Sequence, residues 1–361
     1  MTALAGVRPF AGERVIQAAL SGYSDAAMRA VARAHGAHFC LNEVVLDFEL
    51  RRDRRLRRRT LTLAPDDHPT AGQLMGSDPA GFGICAADLL AAGYDQLDLN
   101  FGCPVASAAG AVRGGYLLGE PDLALRIVDV VLAVAEGRVP VTVKMRRGID
   151  DGEASLADFF RVFDGAFERG VAGITVHGRT VQQKYNGASR WDFLARVKAH
   201  AGTRVVYGSG DLFTPYAVQR MLRETGVDGV TVARGCIGNP FVFRQCADLL
   251  AGRAPLAPSV AEQRAAIELH IQHAVAVHGG QVRGGWRARA HAIKYAQIHP
   301  APAVVRAAFV ATRCVADLVA VLAQHYAPGD WPTEPRLLQE HHAIGSPSGV
   351  DCATDVCDPS R

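Results

Sequence analysis

LDLNFGCPVASAAGAVRGGYLL, residues 97–118, changes character part-way along. Leu97, Leu99 and Phe101 alternate with Asp98 and Asn100, the period-2 pattern of a strand with two unlike faces. Gly102-Cys103-Pro104 then breaks the pattern and small residues follow, so a loop leaves the end of a strand here. Pro104 fixes the backbone at this exit, and Gly102 admits close approach of a ligand. A thiol at that place, Cys103, can act as nucleophile or proton donor, although a lone Cys in a strand-to-helix turn is by default a half-buried structural residue.

Outward from this stretch, short apolar runs alternate with helix-length segments. Strands are expected near 14–20, 38–45, 70–76, 96–102, 141–147, 173–178, 204–208 and 229–233. Helices are expected between them, among others Asp78 to Ala92, Pro121 to Glu136 with Pro121 in the first turn, Leu156 to Arg169 and Pro215 to Thr225. Eight strands each followed by a helix is the count of a parallel barrel, whereas doubly wound sheets seldom need so many repeats. A barrel places its chemistry at the C-terminal strand ends, and Gln73, Asn100, Lys144, His177, Gly210 and Gly235 fall there. Pro255 and Pro258 then interrupt the pattern. Ala261 to His278, Ala288 to Ile298 and Val304 to Tyr326 read as three helices with no further strand. The expected fold is α/β, a (β/α)8 TIM barrel over residues 1–250 with a small C-terminal helical domain over 258–327. Residues 328–361, rich in Pro, Gly, Ser and Asp, read as a poorly ordered tail.

With 361 residues, 49% hydrophobic and 21% charged, the chain can bury one large core and carry a second small domain. No apolar run reaches the roughly 18 residues of a membrane span, and the N-terminus lacks a long apolar region after a basic start, so a cytoplasmic protein without membrane contact is expected. The eight Cys are scattered without a CxxC pair, which argues for reduced thiols and against a zinc ribbon or a disulfide framework. His341, His342, Cys352 and Cys357 lack metal-ligand spacing, so no metal is expected. A net charge of +3 does not by itself indicate a nucleic-acid partner, but RRDRRLRRR (51–59) holds seven Arg in nine residues. Contact with a polyanion is one reading of that run, and a solvated helix face is the other. The same two readings apply to Arg283, Arg287, Arg289, Lys294, Arg306 and Arg313 past the barrel. The oligomeric state is not legible, with a monomer favoured.

Asn100, Gly102, Cys103 and Pro104 resemble in register the NxGCP segment of the tRNA-dihydrouridine synthases, flavin enzymes that reduce uridines in transfer RNA. VTVKMRRG (141–148), TVHGRT (175–180), GSGD (208–211) and DGVTVARGCIGNP (228–240) are similar to further blocks of that family, in order. The likeness runs from about Val15 to about Gln324.

The resemblance implies an FMN-binding catalytic barrel, a helical domain that helps to clasp tRNA, and a reaction in which NADPH visits the flavin face as a transient reductant. Hydride would pass from the flavin to C6 of a uridine, and Cys103 would deliver the proton to C5. Absence of a GxGxxG between strand and helix agrees with there being no separate dinucleotide domain. Implied cofactor contacts are Ala19, Leu20 and Ser21 in the first-strand motif, then Gln73, Asn100, Lys144 and His177. Lys144 would stabilise negative charge on the reduced flavin ring. Ser209-Gly210-Asp211 and Ala233-Arg234-Gly235, after the last two strands, would cradle the phosphate. The chain departs from the family pattern at Ala19 and Leu20, where Pro and Met are usual, at Ala106, where many members have Lys, and at Ser209 in place of Asn. Two rival readings share the barrel: an FMN oxidoreductase of a free pyrimidine or other small molecule, and a non-catalytic RNA-binding relative. The ratio of product in intact tRNA to product in free uridine separates the first from the tRNA enzyme, and purified protein that is colourless and takes up no FMN would favour the second.

Overall fold

The computed structural model describes residues 8–104 and 112–327. Ala106 and the tail from Pro328 lie outside them. Nine strands form one closed parallel sheet: β1 (Val15–Gln17), β2 (Cys40–Leu41), β3 (Val45–Leu46), β4 (Thr70–Met75), β5 (Gln96–Phe101), β6 (Val141–Arg146), β7 (Gly173–His177), β8 (Val206–Ser209) and β9 (Gly229–Val232). The ring closes where β1 pairs with β9, Gln17 opposite Val232, and where β2 and β3 both pair with β4. The second strand, expected whole over 38–45, is therefore split, and the eight-stranded barrel is built from nine pieces. Between the two pieces the Asn42 amide still donates to Ala71 O at 3.1 Å, while its side-chain Oδ1 accepts the Gln73 amide at 2.7 Å and Glu43 accepts the Gly22 amide at 2.9 Å.

Helices between the strands follow the sequence signals closely. Asp78 caps Pro79–Ala91 by accepting from the amides of Ala80 and Gly81, and Pro121 and Pro215 open Pro121–Ala135 and Pro215–Thr225. Their apolar faces and the outward faces of the strands form one continuous core, which includes Leu74, Phe82, Leu99, Val128, Met145, Phe163 and Val230. The floor of the barrel is closed by a second cluster, Phe10, Ile16, Phe39, Leu41, Ala71 and Tyr207. Phe10 is fixed there by its amide, which donates to Gln96 Oε1 at 2.7 Å. The C-terminal mouth stays open.

After the barrel the chain forms four helices, Val260–Val277, Gln281–Tyr295, Pro302–Ala311 and Val315–His325, rather than the three expected. The second begins at Gln281 instead of Ala288. The third expected helix is cut because the Asp317 carboxylate accepts the amides of Arg313 and Cys314 at 2.7 and 3.2 Å and starts a new helix there. These helices bury their own cluster of Phe241, Ile267, Tyr295, Phe309, Leu318 and Leu322. The arginine run is also cut. Asp53 caps the helix Arg54–Thr60 through the amides of Arg55 and Leu56, which separates it from the helix Asp47–Arg52.

One buried ion pair ties the first barrel helix, Ala26–Ala34, to the segment that leads into β4. Arg29 meets Asp67 with side chains only 5% and 7% exposed, and Arg33 adds a 3.4 Å contact to the same carboxylate. Removing one partner strands a buried charge, so Asp67→Ala should cost about 3–5 kcal/mol in urea denaturation. Breaking the exposed Arg161–Asp122 pair should cost at most about 1 kcal/mol. Equal losses for the two would show that the Arg29–Asp67 contact does not brace the barrel.

Candidate active site

The barrel interior is polar above its floor, and its groups form a continuous hydrogen-bonded column. Gln96 donates to Thr142 at 2.9 Å, Thr142 donates to Asp98, and Gln73 donates to the other Asp98 oxygen at 2.6 Å. Asn100 donates to Gln73 Oε1 at 2.8 Å. At the top of the column Asn100 Oδ1 accepts the amides of Gly102 and Cys103 at 3.0 and 2.9 Å. The Cys103 carbonyl in turn accepts the Gly115 amide at 2.8 Å. Gly114, at φ +57°, lies so close that a Cβ there would stand 2.9 Å from Cys103 Cβ. Cys103 is thus fixed from both sides while its side chain stays half-buried at the edge of the mouth.

That mouth is a cleft of about 850 Å³, counting the solvent at its opening. Ala19, Leu20, Ser21, Asn100, Cys103, Lys144, His177, Ser209, Gly210, Asp211, Ala233, Arg234 and Gly235, all expected from the sequence, line it together. Gln73 does not line it; it lies fully buried behind Asn100. Register explains the convergence. Arg146, His177, Ser209 and Thr231 are direct partners across four successive strands, and Asn100 is the partner of Lys144.

Cations dominate the electrostatics. Burial, with the charge of Arg146 added, pulls the Lys144 ammonium down to about 8, while Asp98 acts in the opposite sense. Burial also raises the Asp98 carboxyl, against the hydrogen bonds of Thr142 and Gln73 and the charge of Lys144. Burial and the neighbouring cations keep His177 neutral. Its Nδ1 accepts the Arg179 amide at 3.1 Å, which leaves the proton on Nε2. Asp211 lines the cleft, but its carboxylate is engaged by Arg179 and the Ser189 amide at 2.8 Å each and lies 3.6 Å from Arg234. At Gly235 a Cβ would collide with Leu212 O, so this glycine serves the close packing of the last two loops.

The family model described as dihydrouridine synthase matches residues 16–326. The chain belongs to the dihydrouridine synthase family. It is 36% identical over 295 residues to a probable tRNA-dihydrouridine synthase 1 of Synechocystis, covering 81% of each chain. To tRNA-dihydrouridine synthase B of Xanthomonas campestris it is 31% identical, over 81% of this chain and 87% of the other. Among solved structures, 2-naphthoyl-CoA reductase superposes with a TM-score of 0.54 at 10% identity, over 71% of this chain and 56% of that one. Histamine dehydrogenase from Rhizobium sp. 4-9 gives 0.51 at 16% identity, over 72% and 49%. At such identities these two likenesses show the barrel fold, and this chain spans about half of each of those proteins.

Within this member of the dihydrouridine synthase family, Ala19 and Leu20 stand at the cleft wall in their expected places, as does Ser209. Sequence reasoning singled out neither Arg146 nor Thr231. Arg146 donates to Gly102 O at 2.8 Å and to the carbonyls of Thr180 and Lys184 at 2.7 Å each. It thereby ties the residue before Cys103 to the loop that carries Tyr185, whose ring is 5.6 Å from the guanidinium. The signal was available, because residues two apart on a strand share a face and Arg146 follows Lys144 by two. Thr231 is 3% exposed, and its hydroxyl has no hydrogen-bond partner among the described residues.

Unfolded, Lys144 keeps its proton to about pH 10.5, and folded only to about 8. Across that window the unfolded chain binds more protons, so the contribution of this residue to stability rises with pH. Denaturation of the protein without cofactor at about pH 7.5 and about pH 9.5 should show the parent gaining up to about 2 kcal/mol relative to Lys144→Met. Equal responses would mean that Lys144 does not occupy this environment.

Proposed function

We propose that the protein is a tRNA-dihydrouridine synthase that binds FMN, uses NADPH as reductant and saturates the C5=C6 bond of a uridine in tRNA. The observation that carries this reading is Cys103, held by Asn100 and Gly115 at the edge of a cleft with Lys144, Arg146 and Arg234 in its walls. The donor set fits FMN. A cation-lined cleft with a single carboxylate, already engaged, suits a phosphate and an electron-rich ring, and the orphaned Thr231 hydroxyl and the His177 Nε2 proton are donors for it. Arg234 and the loops of Ser209-Gly210 and Ala233-Gly235 would hold the phosphate, and Lys144 would face the ring. When bound, FMN would take hydride from NADPH and supply it to C6 of the uracil ring.

The remaining chemistry falls to side chains. Addition at C6 leaves negative charge over C5 and O4 of the base, and Cys103 holds the proton that C5 requires. Delivery leaves a thiolate, which recovers its proton from water. Arg146 keeps Gly102, and so the thiol, from drifting out of the mouth. Residues 258–327 would clasp the RNA, and the target base must leave its stack to reach the cleft, at a cost of a few kcal/mol.

Removing a general acid typically slows its step by about 10² to 10⁴. Cys103→Ala should bind FMN, be reduced by NADPH and bind tRNA like the parent, while reoxidation by tRNA slows by that factor in stopped-flow absorbance. A purely structural Cys would instead lower stability and flavin retention and leave the rate per flavin intact. Reoxidation of the variant by tRNA at the parent rate would remove Cys103 from this role.

A further inference from the structure

The arginine run divides into two sets in the folded chain. Arg57 forms a bidentate pair with Asp88, Arg59 lies 3.3 Å from Glu43, and Arg51 lies 3.9 Å from Asp78, so these three fasten the segment to the barrel. Arg52, Arg54, Arg55 and Arg58 are exposed, and their side chains form no ion pair or hydrogen bond among the described residues. Elsewhere on the surface the arginines at 138, 161, 190 and 253 each have a carboxylate partner. Arg54, Arg55 and Arg58 share one helix face by their spacing of three and four residues. No carboxylate meets them among the described residues, so their mutual repulsion is left standing.

Position gives this strip a use. The segment leaves β3 at the C-terminal end of the strand, beside Val44, which lines the cleft. Glu43, the partner of Arg59, accepts the amide of Gly22 at 2.9 Å, and Arg287 of the helical region donates to the carbonyl of the same Gly22 at 3.4 Å. One residue of the β1 loop thus joins the arginine segment on one side to the helical region on the other, next to Ser21 in the cleft wall. We infer that Arg52, Arg54, Arg55 and Arg58 form a docking strip for the RNA sugar-phosphate backbone, continuing the basic surface of the helical region across the β1 loop and along the rim of the cleft. Guanidinium groups suit this partner because each can meet a phosphate through paired N–H donors. The inference rests on the reading of the protein as an enzyme of tRNA.

The test is binding of labelled transfer RNA to the full-length protein, by fluorescence anisotropy from about 50 to about 200 mM salt. Each arginine withdrawn from a phosphate should lower the log–log slope by about 0.7 to 0.9, so Arg52→Gln, Arg54→Gln, Arg55→Gln and Arg58→Gln together should lower it by about 3. FMN content should not change and the melting temperature should not fall, because these side chains make no ion pair or hydrogen bond among the described residues. Arg138→Gln with Arg161→Gln should leave the slope as it is in the parent. A parent that binds tRNA with a slope the quadruple variant retains would overturn the strip and leave the enzyme reading standing. A parent that does not bind tRNA would overturn both. Loss of binding to anionic lipid vesicles in the variant, with the tRNA slope intact, would reassign the strip to a membrane surface and overturn the inference.

Discussion

The clamp of Asn100 on the Cys103 amide is the interaction on which the site depends. A thiol on a loop would be free to wander, and here its backbone is tied to β5, a fully buried strand paired with β4 on one side and β6 on the other. The tie continues through Gln73 to Asp98, deep in the barrel. Because every member of that column is buried and hydrogen-bonded, displacing any of them leaves a polar group unsatisfied in a medium of low dielectric, where the loss is large. A polar barrel interior has a stability cost relative to an apolar one. It returns a fixed position for Cys103 and a charge environment that keeps the Lys144 proton near its point of release.

The helical region belongs to this arrangement through the β1 loop. His278 meets Asp25 at 2.6 Å with both side chains almost fully buried, and the Tyr23 ring stands edge-on to His291 at 5.3 Å. Asp25 also caps the first barrel helix through the amide of Met28. Ser21, two residues before Tyr23, faces the cleft. The helical region is thus packed against a segment continuous with the cleft wall.

The barrel was legible because its signals are local. Period-2 alternation marks β5 to β7, prolines and Asp78 mark helix starts, and glycine-rich turns mark strand exits. The splits were not legible, because each depends on which partner a side chain finds. The side chain of Asn42 takes the Gln73 amide, and Asp53 and Asp317 turn into helix caps within stretches that carry helical composition on both sides. The same limit hid the role of Gln73: a strand-end position suggests a ligand contact, and only the neighbouring Asn100 and Asp98 show it acting from behind. Arg146 was missed for another reason, since the neighbouring Lys144 had already explained the motif that contains both.

Asn100 works through Cys103. A double-mutant cycle on the tRNA-dependent half-reaction, measured per bound flavin with Asn100→Ala, Cys103→Ala and both together, addresses it directly. The double variant should be no slower than Cys103→Ala alone, because a misplaced thiol and an absent one fail at the same step. Losses that multiply would show Asn100 acting on the substrate or cofactor independently of Cys103, and would contradict it.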